Sequence, residues 1–226
     1  MDVPTIDFLG LQITEPFTWL TNWLVAAFAF GFGHFLYNDK LADATQKFWS
    51  IFFVFIGLAS IIGGTAHGFI NYVGQNFHYA AWIFSGLAIF AAQLATIQLI
   101  ENDKIRSFVR FFAYAQLLVL VSSVMYFHNF NSVRINSAIG LLGVVIPFTL
   151  IHYVKNKDKR SLFIMIGILS NLIPGVVHAF KISINEWFNF NDISHVIMVF
   201  CFYLMYIGAK QNVNIELSKN LRKAPA

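Results

Sequence analysis

The chain has 226 residues, of which 58% are hydrophobic and 12% charged. A soluble domain carries about 25% charged residues, and 26 phenylalanines are more than one soluble core of this size can hide. The formal net charge of +4 is so distributed that it reports orientation in a membrane and calls for no nucleic-acid partner.

A spanning helix needs about 20 mostly apolar residues. Seven stretches qualify, at 17–37, 48–72, 80–100, 107–127, 134–154, 161–180 and 190–209. With short connectors they use almost the whole chain, so residues 1–226 read as a single seven-transmembrane domain. The fold class expected is an all-α integral membrane bundle. The start, "MDVPTIDFLGLQITEP", has no basic region followed by an apolar one, so it is not a secretory signal. It reads as a short external segment on the membrane surface. Lys40, Lys47, Lys104, Arg106, Arg110, Lys155, Lys157, Lys159, Arg160, Lys210, Lys219, Arg222 and Lys223 fall beside alternate connectors and in the tail. Only Arg134 and Lys181 fall on the other side. Cytoplasmic loops concentrate Lys and Arg. The N-terminus is therefore expected outside and the C-terminus in the cytoplasm, in a plasma membrane or bacterial inner membrane.

Taken in chain order, the first helix opens on Glu15 and Pro16. Thr14 is placed to cap it, and Glu15 suits its positive dipole end. Glu15, Thr18 and Asn22 recur at three or four and share a face. The second helix carries Ser60, Gly64, His67 and Asn71 on one stripe, and His78 follows in the outer connector. The third offers Ser85, Ala88, Ala92 and Thr96, with Gln93 beside them. His128 ends the fourth helix, while His34 and His152 lie at cytoplasmic helix ends and read as interfacial. The sixth carries Asn171, Pro174 and His178. The seventh carries Asn191, Asp192 and His195, and further on Cys201, the single cysteine, which excludes an intrachain disulfide.

Ionisable groups inside a membrane face partners or a water-filled cavity and mark function by default. A lone His67 is as readily an interhelical hydrogen-bonding group. The combination says more. His67, His178 and His195 sit on three helices, a few residues inside one outer boundary, each on a small or polar face. Three histidines with an open fourth position make a catalytic zinc pattern, and the metal would bring its bound water near neutrality. Asp192 is then a proton shuttle or an orienter of His195, and Glu15 is a second catalytic carboxylate.

The late "GGTAHGF" of the second helix and "FNFNDISHVIMVF" of the seventh, within seven helices and behind an acidic start, resemble the superfamily of alkaline ceramidases and progestin/adipoQ receptors. The resemblance is one of layout over the whole chain. It implies a zinc-dependent hydrolase of a lipid amide or ester with its site near the non-cytoplasmic face. His67 and His195 match two of that family's histidines. Asn191 stands where a third is expected, Gly63 where the family has serine, and His78 where it has aspartate. His178, or His78, takes the place of the missing ligand.

Two other classes stay open at this point. A transporter or receptor-like binding protein would use the same outer pocket without chemistry, with Pro174 and Gly175 breaking the sixth helix beside it. A haem-binding electron carrier would pair opposed histidines such as His67 and His178. The partner expected throughout is a membrane lipid or another amphiphile.

Overall fold

The computed structural model describes residues 3–210. The polar tail from 211 onward, with Lys219, Arg222 and Lys223, lies outside the described residues. Seven helices are each long and apolar enough to cross a membrane: α1 (Pro16–Tyr37), α2 (Ala44–Gly68), α3 (Asn76–Ile97), α4 (Asp103–Phe127), α5 (Asn131–Asn156), α6 (Lys159–Ala179) and α7 (Phe190–Ala209). Before them, β1 (Thr5–Phe8) and β2 (Leu11–Thr14) form an antiparallel hairpin. Its end of the bundle is called the hairpin end, and the opposite one the far end.

Several helices start about a turn before the hydropathy predicts, because polar caps hold their first turns. The Asp43 carboxylate accepts the Gln46 backbone N–H at 2.7 Å, so α2 opens at Ala44 rather than 48. Asn102 does the same for α4 and Asp158 for α6. Each such cap satisfies N–H groups that a helix start leaves orphaned. The second helix also ends sooner than predicted, at Gly68, and Ile70–Val73 forms a separate helical turn. Thr14 caps nothing: it is a strand residue whose hydroxyl donates to the His67 carbonyl. The opening segment is tied to the end of α2. The Gln12 N–H donates to the Tyr72 hydroxyl, and Asn71 donates to the Gln12 side chain.

The main core joins α1, α2, α3, α6 and α7 through Leu36, Trp49, Phe52, Phe53, Ala88, Ile168 and Met205. The α4 helix is peripheral and exposes Phe108, Phe111, Leu118 and Val119. Small residues set the closest approaches. A Cβ on Gly64 would lie 2.8 Å from Asn22 Cβ, so α1 seats directly on α2 there. At the far end Arg160 donates to Asp43 and to the last carbonyls of α7, Gly208 and Ala209.

Two helices are irregular. In α5 the stretch Ala138–Val145 is π-helical. In α6 the helix is interrupted at Asn171, between Lys159–Ser170 and Leu172–Ala179. The Asn171 amide donates to the Gly167 carbonyl, and the Ser194 hydroxyl to that of Pro174. Toward the far end α5 and α6 pack against each other. Their hairpin-end halves, Asn131–Ser137 and Leu172–Ala179, do not pack in the same way.

Candidate functional site

A cavity of ≈ 820 Å³ opens at the hairpin end among α1, α2, α3, α5, α6 and α7. His67, His78, His178 and His195 all line it, together with Arg134 and several amides and hydroxyls. The small and polar stripes read from the sequence therefore converge on one space.

His67 sits in the last turn of α2. Its Nδ1 lies 2.6 Å from Glu15 Oε2. A carboxylate only accepts, so Nδ1 carries a proton, and in the neutral ring Nε2 is the nitrogen with the lone pair. Glu15 adopts a left-handed backbone, φ 41°, at the junction of hairpin and helix, and its N–H donates to the Pro4 carbonyl. Burial opposes the charge on Glu15. The hydrogen bond from His67 and the nearby His67 and His78 rings outweigh it and hold the carboxyl below its ordinary range. Glu15 is not part of the cavity wall; it stands behind His67 and fixes the ring. The His78 ring lies edge-on to that of His67, with centroids 5.0 Å apart.

His195 is held in a similar way, through an intermediary. Its Nδ1 lies 3.0 Å from the Thr21 hydroxyl, which lies 3.1 Å from Asp192 Oδ1. Thr21 has one proton to give. Donating it to Asp192 leaves Thr21 as acceptor for His195 Nδ1–H, and Nε2 again keeps the lone pair. Asp192 is fully buried. Its other oxygen accepts the Asn189 backbone N–H at 2.7 Å, in a capping box that starts α7. Asp192 thus orients His195 through Thr21 and does not face the cavity itself.

His178 has the opposite polarity. Arg134 donates to its Nδ1 at 2.8 Å, so the ring proton sits on Nε2. Phe190 meets this ring edge-on at 4.9 Å, and the Arg134 guanidinium lies 5.3 Å from the centre of the Phe130 ring. His34 and His152 lie apart from the cavity, each beside an asparagine one turn on. His128 ends α4 with its ring 5.0 Å from that of Tyr79.

The zinc arrangement can be tested on these bonds. His67 and His195 are each anchored at Nδ1, as a metal-binding imidazole is. His178 does not suit a metal, because its Nδ1 lone pair is engaged by a guanidinium whose charge repels a cation. Among the described residues no group of three His, Cys, Asp or Glu side chains is gathered closely enough to hold a metal ion. The three-histidine set therefore does not fit a metal as one unit.

Thr21 escaped the sequence reading. It lies beside the Glu15–Thr18–Asn22 stripe, and only the position of Asp192 across the interface gives it a role. Arg134 was legible only as one of two basic residues on the sparsely charged side.

Residues 17–214 match the model of a family described as a family of unknown function, DUF6962, and the chain belongs to that family. No curated protein and no solved structure matches it.

Proposed function

We propose that this member of the DUF6962 family is an integral membrane hydrolase that cleaves an amide or ester bond of an amphiphile held in the histidine-lined cavity. One observation carries the reading. Two histidines from different helices line the same cavity, and each has its Nδ1 tied to a carboxylate, directly to Glu15 or through Thr21 to Asp192. That anchoring fixes tautomer and ring plane, and it leaves Nε2 free to act on a reactant.

In this reading Nε2 of His67 takes a proton from water as the water oxygen attacks the acyl carbon. Glu15 offsets the imidazolium charge. The proton passes to the leaving nitrogen or oxygen as its bond to the acyl carbon breaks, releasing amine or alcohol and a carboxylic acid. His195 Nε2 is the second site at which a proton can be held. The resemblance to alkaline ceramidases supports the lipid substrate class, and the zinc it implies would need a third protein ligand beside His67 and His195. The lopsided Lys/Arg distribution supports an outward-facing hairpin end, so that the cavity opens at headgroup depth on the non-cytoplasmic side.

Purified full-length protein should turn over members of a panel of fluorogenic fatty-acyl amides and esters. His67→Ala and His195→Ala should each lower the rate by about 100-fold or more, while His34→Ala and His152→Ala leave it unchanged. Elemental analysis and an absorbance spectrum of the same preparation report zinc and haem. Well-folded protein that hydrolyses nothing in the panel, or His67→Ala protein as active as the parent, would overturn the reading in favour of a binding or transport protein.

A further inference from the structure

Arg134 is the one charged side chain among the described residues lining the cavity. It has no carboxylate partner among them. It donates to His178 and, at 3.4 Å, to Asn131, and it lies over the Phe130 ring. The carboxylates nearest the cavity are engaged elsewhere, Glu15 by His67 and Asp192 by Thr21 and Asn189. Arg134 is exposed in the first turn of α5, at the rim of the cavity, so its guanidinium is open to an anion that the described residues do not supply.

The Arg134–His178 bond bridges α5 and α6 where the two helices stop packing against each other. Both helices are irregular nearby, at Ala138–Val145 and at Asn171. On α6 the side chains Leu172, Ile173 and Val176 are apolar and exposed, as an acyl chain arriving from the bilayer would need.

We infer that Arg134, with His178, is the headgroup subsite for an amphiphile bearing an anionic oxyanion head, carboxylate or phosphate, which enters sideways between α5 and α6. The guanidinium fork matches either group with two parallel hydrogen bonds, and His178 adds a donor at Nε2. The inference rests on the reading of the cavity as an amphiphile site and narrows that amphiphile to an anionic one.

Direct binding to the full-length protein in detergent tests it, with radiolabelled oleate, oleoyl lysophosphatidate and monoolein as probes and inorganic phosphate as competitor. Oleate or oleoyl lysophosphatidate should bind at least about tenfold more tightly than neutral monoolein, and their ratio tells carboxylate from phosphate. Inorganic phosphate should not compete at millimolar concentration. Arg134→Gln should abolish the preference and Arg134→Lys should keep most of it, with the thermal midpoint without ligand checking the fold of each. Should Arg134→Gln fail to fold, His178→Ala should weaken anionic binding alone. Equal binding of monoolein, an undiminished preference in folded Arg134→Gln protein, or full competition by inorganic phosphate would overturn the inference. His67→Ala separates the two readings, since it should retain selective binding while losing hydrolysis. Selective binding without hydrolysis in the parent would sink the hydrolase alone; hydrolysis without anionic preference would sink the headgroup subsite alone.

Discussion

Glu15 Oε2 and His67 Nδ1 lie 2.6 Å apart, joining the start of α1 to the end of α2. The bond coincides with a left-handed backbone at Glu15, which costs a non-glycine residue roughly 1–2 kcal/mol. Glu15→Ala removes the acceptor that fixes the His67 tautomer, and activity should fall by about 10–100-fold, the usual loss for a group that orients a functional histidine. Glu15→Gln can still accept from Nδ1–H and should lose less. Rates for both variants, with the His67 tautomer read by nitrogen NMR, check this. Equal rates in parent and Glu15→Ala protein would remove Glu15 from the site.

Thr21 is the joint between Asp192 and His195. Thr21→Val keeps the shape and deletes the hydroxyl's contacts with Asp192, His195 and the Thr18 carbonyl. It takes one hydroxyl donor from buried Asp192 and frees the His195 ring, so the thermal midpoint and kcat/KM should both fall. Thr21→Ser should restore most of both. A Thr21→Val protein with unchanged stability and rate would show that the relay is not used.

Packing of α6 on α7 makes a sharper stability prediction. A Cβ on Gly208 would lie 2.7 Å from the Arg160 carbonyl oxygen and the Ile164 nitrogen, backbone atoms that cannot rotate aside. Gly208→Ala should therefore destabilise the protein by about 1–3 kcal/mol, the range of an overpacked core. Gly31→Ala meets nothing within 4 Å and should be neutral or slightly stabilising. Thermal midpoints in one detergent compare the two.

Orientation is testable by cysteine labelling in a Cys201→Ser background. Asn129→Cys, at the hairpin end, should react with an impermeant maleimide on intact cells. Lys157→Cys, at the far end, should react only after permeabilisation. The reverse pattern would invert the topology.

The seven spans were legible because hydropathy records the one property a bilayer demands. Their starts were not, since Asp43, Asn102 and Asp158 hold polar first turns that look like loop. Helical spacing brought His67, His178 and His195 to one cavity, because residues three or four apart share a face wherever the helix points. It could not tell which nitrogen each ring leaves free. That depends on Glu15, Thr21 and Arg134, which reach the rings across helix interfaces. The hairpin was hidden for a related reason: Thr14 beside Glu15 and Pro16 carries a helix-start signature, yet the Thr14 hydroxyl is taken by the His67 carbonyl.

The π-helical stretch of α5 also sets the phase of everything before it. Successive residues of an α-helix turn by about 100°, so the wider π turns reset the azimuth of the hairpin-end half against the far-end half. Excising a single residue between Ala138 and Val145 would let regular α-helix return. Arg134 would then keep nearly its present azimuth, because the lost residue and the tighter turns cancel, whereas a residue removed between Arg134 and Ala138 would swing it by about 100° and away from His178. In a gene, the cavity's positive charge is thus set by reading length as much as by the codon for arginine.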